Sequence, residues 1–409
     1  MVVAAFVAPY LLEATSRFVL SAAGVHGVRL AVITTEPADR LSPALREALV
    51  GHWQVEDALD PDQIVDAVRG LSAQFGPVER LIGALEQLQV PLAQARAVLG
   101  IKGMSKRVAT NVRDKSQMKA VLTAAGVPCA RHQLVRHSAE ARAFRDLVGY
   151  PMVAKPPDGA GAKATFRLDN DADFDSWLVA ARQDRDEVWL LEEFLTGKEH
   201  TFDSVTLGGE TIWASISDYR PPPLEVLRTP WVQWTVLLPR DVSGPEYAGI
   251  RSAGPAALRA LGVTDAFSHM EWFERPDGSV AISEVGARPP GAQLASMIGF
   301  SYDFDFYSTW AELMLNGTFQ PRERQYASGT AYLRGMGHGQ VRAVHGIERL
   351  QRKIGRLVVD SRLPQPGQPA STSYEGEGFI TVRHPDTAVV QEALDVIIST
   401  ARVELVESQ

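Results

Sequence analysis

The stretch HMEWFERPDGSVAISEVGARPPG, residues 269–291, constrains this chain more than any other. Two apolar runs flank Asp277-Gly278, a pair that codes for a tight hairpin turn. A two-residue turn there sets Glu271 directly opposite Glu284, with Phe273 and Ile282 as the next pair. Like charges facing each other across strands are destabilising. At about 5 Å and an effective dielectric near 20, the repulsion is roughly 3 kcal/mol. One reading is a solvated edge, with one glutamate swung into water or paired with a lysine. The other is a divalent cation between the two. Mg2+ takes one or two carboxylates and leaves positions for substrate phosphates, which turns the penalty into an attraction. Arg288 stands four positions after Glu284, beside a proline- and glycine-rich turn, and a fixed guanidinium beside a metal suits a transferred phosphoryl group.

The first hundred residues alternate continuous apolar runs with amphipathic ones. VVAAFVA (2–8), VRLAVITT (28–35), HWQVED (52–57) and VERLIGAL (78–85) read as strands, separated by helical stretches. That alternation predicts a small parallel α/β layer over residues 1–104. No G-x-G-x-x-G follows the first strand, so no dinucleotide site is expected. The opening MVVAAFVAPYLLEATSRF lacks a basic n-region and is interrupted by Glu13; a buried first strand is expected rather than a signal peptide. No run reaches the roughly 18 apolar residues that span a membrane.

A second unit is expected over residues 105–195. It opens with the helix NVRDKSQMKAVLTAAG, for which Asn111 or Asp114 is the N-cap and Gly126 the stop. YPMVAKPP and AKATFRLDN then read as strands around a Gly159-x-Gly161 turn, and VWLLEEFL closes the unit. From 196 to 327 the pattern is antiparallel, with a Gly208-Gly209 hairpin and the opening hairpin. YRPPPLEVLRTPWVQW (219–234) is too proline-rich for regular structure and reads as a loop over a site. Residues 328–409 form a last α+β unit with AYLRGMGHG, GRLVVDS and GFITVRH as strands.

Single signals here have ordinary explanations. Lys115 alone is a helix-surface lysine, and Glu192, Glu193 and Glu199 alone are solvated acids. AKPPDGAGAKAT sets Lys155 before glycines whose backbone N–H groups can close on phosphate oxygens, yet no G-K-[ST] follows, so it is not a Walker A loop. In order, the set changes character: a lysine opening a helix, a lysine before a Gly-rich loop, an acidic strand end, then the facing glutamates and Arg288. RDK…MK…L…AGVP (113–128), EEFLTGKE (192–199) and KPPDGAGAKA resemble the ATP-grasp superfamily over about residues 1–325. The tail, with GFITVRHPDTAVVQEALDVI, looks like the C-terminal domain of the biotin-carboxylase-like branch.

That resemblance implies an α/β (α+β multidomain) ATP-grasp fold with ATP and Mg2+ as cofactors, one or two ions, Mn2+ being a substitute. It implies that Lys115 and Lys155 contact ATP phosphates and that Gly159, Gly161 and Lys163 belong to a loop closing over them. Glu192, Glu193 and Leu195 would meet adenine, the last two through backbone groups, and Glu199 would hold the ribose. Glu271 and Glu284 would bind the metal, and Arg288 would steady an acyl phosphate. Tyr219, Arg220, Arg228, Trp231, Trp234, His269, Trp272 and Gly291 are the candidates for the acceptor site. One departure stands out: the family commonly has Asn two residues after its second metal-binding Glu, where this chain has Gly286.

The expected reaction is ADP-forming ligation of a carboxylate, here an amino acid, to an amine through an acyl phosphate. The first alternative is a bicarbonate-activating carboxylase of the biotin-carboxylase or purine-pathway type, although EVGARPPGAQLA has neither Glu nor His after Arg288. The second is a non-catalytic ATP-binding regulator. The partners expected are small carboxylate and amine molecules, and a homodimer is common among such proteins. The formal charge of −8 offers a nucleic-acid backbone no basic face. A single cysteine, Cys129, leaves no internal disulfide and fits a reducing cytoplasm.

Overall fold

The computed structural model describes residues 1–157, 165–181, 188–229, 232–373 and 375–407, without the side chains of Leu227 and Arg228. The apolar runs of the N-terminal segment form strands β1 (Val2–Val7), β2 (Val28–Thr34), β3 (Gly51–Gln54) and β4 (Val78–Ile82), parallel in the order β3-β2-β1-β4. Helices cover both faces, which is why these strands are apolar on both sides. The helix Pro61–Phe75 starts where Asp60 accepts from Asp62 N and Pro61 supplies a preset φ.

A second sheet of β5 (His132–Val135), β6 (Met152–Lys155), β7 (Phe166–Leu168) and β8 (Trp189–Glu193) is antiparallel in the order β5-β8-β6-β7. Asp114, not Asn111, caps the helix that leads into it: its side chain accepts from Ser116 N and Gln117 N. Asn111 lies one turn earlier, inside the separate helix Lys106–Arg113.

The remaining strands are β9 (Lys198–Leu207), β10 (Glu210–Arg220), β11 (Trp234–Leu238), β12 (Ala266–Glu274), β13 (Val280–Gly286), β14 (Ala327–Leu333), β15 (Gln340–His345), β16 (Val358–Arg362), β17 (Gly378–His384) and β18 (Arg402–Val406). Eight of them make one sheet in the order β13-β12-β9-β10-β11-β14-β17-β16, while β15 pairs with β18. Gly208 and Gly209 turn β9 into β10 with φ of 59° and 84°, the left-handed pair that a two-residue hairpin needs.

Residues 219–234 are less irregular than their prolines suggest. Tyr219 and Arg220 finish β10, Trp234 opens β11, and a short helix Pro223–Arg228 lies between them, with Pro223 in its first turn, where the missing N–H costs nothing. The helix Glu13–Ala23 of the N-terminal layer packs on the helix Phe306–Asn316 through aromatic contacts. Phe18 meets Trp310 edge-on at 4.9 Å between ring centroids and Tyr307 at 4.8 Å. Among the described residues no helix is long and apolar enough to cross a membrane.

Candidate functional site

The hairpin between β12 and β13 departs from the expected two-residue turn. Arg275 N donates to Ser279 O at 2.8 Å and Gly278 N donates to Arg275 O at 2.9 Å, with Gly278 at φ 79°. Pro276, Asp277 and Gly278 therefore form a three-residue loop that ends on a left-handed glycine. Asp277 Oδ1 secures it by accepting from Ser279 N at 2.9 Å and Ser279 Oγ at 2.7 Å.

The extra loop residue shifts the pairing: Phe273 opposes Ala281 and Trp272 opposes Ile282, so the expected Phe273–Ile282 pair does not form. A bulge between Glu271 and Trp272 then inserts Ser283 and restores Glu271 opposite Glu284. Two outside contacts hold the bulge. Ile282 N donates to Pro128 O at 2.8 Å, and Lys119 Nζ donates to Ser283 O at 3.0 Å. Without the bulge, Glu284 would point to the other face of the sheet, since strand side chains alternate.

Alternation sets the rest of this face. Glu199, Thr201 and Asp203 on β9 share it with His269, Glu271 and Phe273 on β12, because Thr201 pairs Glu271 and Asp203 pairs His269. Across β10, β11 and β14 the same face carries Tyr219, Trp234 and Tyr332; Trp234 pairs Tyr332 and their rings stack at 4.3 Å. The face thus passes from charged to aromatic along one sheet.

The charged part is an interlocked set of ion pairs. Lys115, at the capped helix start, reaches Glu284 Oε1 at 2.9 Å. Glu192 Oε1 lies between Lys155 at 2.9 Å and the fully buried Lys119 at 3.4 Å. Burial opposes ionisation of Glu192, but the two lysines outweigh it and hold the carboxyl below its usual range. For Glu199 nothing outweighs burial. Glu271 and Glu284 add repulsion, and its carboxyl is pushed well above the carboxylate range. His269 gives Nδ1 to Asp203 Oδ1 at 2.8 Å and turns Nε2 toward Glu271 at 3.8 Å. Burial disfavours its cation, yet Asp203 prevails and the imidazole is raised to about 9.

Arg288 is held from the N-terminal layer. Its Nε donates to Glu86 Oε2 and its Nη1 to Pro289 O at 2.8 Å, while Gln89 Oε1 accepts from Ala287 N at 3.1 Å. Gly286 matters to this arrangement: a Cβ there would stand 3.0 Å from Glu86 Oε2.

One cleft collects most of the residues singled out in the sequence. Lys115, Lys155, Glu284, Glu271 and Arg288 line it together, with Glu192, Glu193, Leu195 and Glu199 along the β8–β9 segment and Tyr219, His269 and Gly291 elsewhere on its wall. The Glu193 carboxylate is taken by Arg131 Nε at 2.6 Å and Arg275 at 3.2 Å, and its N–H by Arg131 O. Two candidates lie elsewhere. Trp272 is buried on the opposite face, stacked on His200 at 4.4 Å with Nε1 donating to Thr201 O. Arg220 is exposed and 3.6 Å from Asp218. Both follow from alternation, since each neighbours a residue that faces the cleft. Gly159, Gly161, Lys163 and Trp231 lie outside the described residues, as does the Arg228 side chain.

Sequence reasoning missed Glu86, Lys119 and Asp203. Lys119 was visible as the MK of the 113–128 pattern and sits one helical turn beyond Lys115, on the same face. Glu86 carried no local signal. Among the described residues no three His, Cys, Asp or Glu side chains are grouped to hold a metal unaided. The facing pair nevertheless fits a hard cation that keeps positions for phosphate oxygens, and the repulsion from Glu271 and Glu284 that adds to burial in raising the Glu199 carboxyl is the kind a cation relieves.

No protein-family model matches the chain. An L-arginine-specific L-amino acid ligase from Bacillus subtilis is 24% identical over 275 residues, 64% of each chain, so the match spans less than two thirds of that relative's length. The crystal structure of an L-amino acid ligase from Bacillus licheniformis superposes with a TM-score of 0.78 at 16% identity, covering 100% of this chain and 99% of the other. That of N5-carboxyaminoimidazole ribonucleotide synthetase from Thermotoga maritima gives 0.70 at 18% identity, covering 99% of this chain and 100% of the other.

Proposed function

We propose that this chain, whose fold is that of the biotin-carboxylase-like branch of the ATP-grasp superfamily, uses ATP to phosphorylate a carboxylate and passes the acyl group to an amine. The observation that carries the proposal is the convergence of Glu271, Glu284, Lys115, Lys155 and Arg288 on one cleft.

In this reading Lys115 and Lys155 bind ATP phosphates, and the Glu192–Leu195 segment with Glu199 receives the nucleoside. Glu271 and Glu284 hold Mg2+, which when bound draws charge from the transferring phosphate. Arg288, fixed by Glu86, orients the substrate carboxylate so that one oxygen faces the γ-phosphorus in line. The new O–P bond forms as the bond to ADP breaks. The amine nitrogen then attacks the acyl carbon, and inorganic phosphate leaves with the oxygen it received.

Two identities of the carboxylate compete. The likeness to N5-carboxyaminoimidazole ribonucleotide synthetases recurs in several solved structures, and it gives the bicarbonate reading more weight than the motifs around Arg288 accord it. The amino-acid reading draws on the sequence match to an L-amino acid ligase and on the wide aromatic end of the cleft.

The test is product analysis with Mg-ATP and pools of amino acids, with and without bicarbonate. ADP and phosphate released only with an acid and an amine present support ligation, and bicarbonate dependence supports the second reading. AMP and pyrophosphate would overturn the acyl-phosphate mechanism in either form.

A further inference from the structure

The end of the cleft away from the lysines is built from apolar groups. Tyr219, Pro223, Leu224, Trp234, Ala292 and Leu294 line it. The cleft-lining residues described in segments 219–234 and 291–294 are all uncharged.

This wall is fixed before any ligand arrives. Trp234 lies between Tyr332, stacked at 4.3 Å, and Tyr219, edge-on at 5.9 Å. The segment carrying Pro223 and Leu224 is tied at two points by one side chain just past the end of β14. Arg334 Nη1 donates to Val226 O at 2.9 Å and to Val232 O at 3.0 Å. Gln233 adds a reciprocal pair, donating to Arg334 O and accepting from Arg334 N.

Resting on the carboxylate-activating reading above, we infer that the acid is one with an apolar tail, aliphatic or aromatic. Its carboxylate sits at Arg288 and the glutamate pair, and its side chain lies against Tyr219, Leu224 and Trp234. Bicarbonate has no atom to place there, and a charged tail would lose its hydration with no charged partner among the described residues of these walls. Each methylene that fits such a wall contributes about tenfold or more in discrimination.

Hydroxylamine separates this inference from the reading beneath it. Its nitrogen attacks the acyl carbon of an acyl phosphate, the C–O bond to phosphate breaks, and a hydroxamate and inorganic phosphate result. The enzyme is incubated with Mg-ATP, hydroxylamine and single amino acids, and hydroxamate and ADP are measured.

Leucine, methionine and phenylalanine are expected to exceed glycine, aspartate and lysine by about tenfold or more in kcat/KM. Leu224→Glu, at a half-buried position, is expected to move the preference toward lysine and arginine with the KM for ATP unchanged. Hydroxamate formed equally from all acids, or best from charged ones, overturns the apolar-tail inference and leaves carboxylate activation standing. ADP release that requires bicarbonate overturns the apolar-tail inference and leaves bicarbonate as the activated acid. If no acid is turned over, calorimetric titration of the same acids into enzyme with the β,γ-imido analogue of ATP decides: equal or absent binding of the apolar acids overturns the inference.

Discussion

Glu86 and Arg288 are 202 residues apart, yet the carboxylate of one holds the guanidinium of the other at the mouth of the cleft. The contact joins the parallel layer to the segment that follows the hairpin, so the N-terminal segment takes part in positioning Arg288. Charge-assisted hydrogen bonds of this kind are worth about 1.5–3 kcal/mol. Glu86→Gln is expected to lower kcat by roughly 10- to 100-fold with the KM for ATP nearly unchanged, as read by steady-state ADP release. An equal loss of ATP affinity would show that Glu86 acts on the nucleotide instead.

Gly286 and Glu86 are predicted to be coupled. Asn at 286 brings a Cβ to 3.0 Å from Glu86 Oε2, so Gly286→Asn alone should loosen Arg288 and reduce turnover. In a Glu86→Ala background the added Cβ keeps only ordinary contacts with Arg288, 3.4 Å to Cγ and 3.6 Å to Nε. The double variant should then be less impaired than the product of the two single effects, and strict additivity in a double-mutant cycle would count against the coupling.

Glu284→Ala should abolish turnover, by about a thousandfold or more, while the protein stays folded. The substitution relieves the repulsion across the hairpin and removes the Lys115–Glu284 ion pair at the same time, so the melting temperature should move by only about a few degrees. Thermal melts and ADP release on the same preparation check both halves. Retained activity would make the facing carboxylates structural.

The Lys119–Glu192–Lys155 cluster should govern acid stability. The Glu192 carboxyl is held below its ordinary value of 4.5. The stability it contributes is therefore complete above that value and is lost as pH falls through the lower folded one. Glu192→Gln should flatten the fall in stability below about pH 4.5 and lower stability at pH 7. Denaturant melts across pH 3–7 would show this, and parallel curves for the two proteins would refute it.

Much of the site was legible because its order along the chain carries it. Glu271 opposite Glu284 was read correctly from a turn that does not exist as read: the loop has one more residue, and Ser283 cancels the shift. A bulge held by Pro128 and Lys119 is a tertiary event, and no local pattern announces it. Trp272 and Arg220 were misplaced for the opposite reason. Each sits one residue from a cleft-facing neighbour, so strand alternation alone would have turned them away. Pro222 and Pro223 suggested irregular structure, but a proline in the first turn starts a helix as readily as it prevents one. Glu86 remained hidden because its significance exists only once two distant segments meet.

The stacking of Trp234 on Tyr332 has a bearing on how such enzymes diversify. The residue that backs the substrate wall belongs to the strand Ala327–Leu333, which pairs on its other edge with Gly378–His384. On the proposed reading, recruiting a new tail by gene fusion would disturb the backing of the apolar wall along with it, because the graft point runs through the strand that carries Tyr332. If the proposed function holds, selection for a new acid could act on the last eighty or so residues without touching any group proposed to meet ATP.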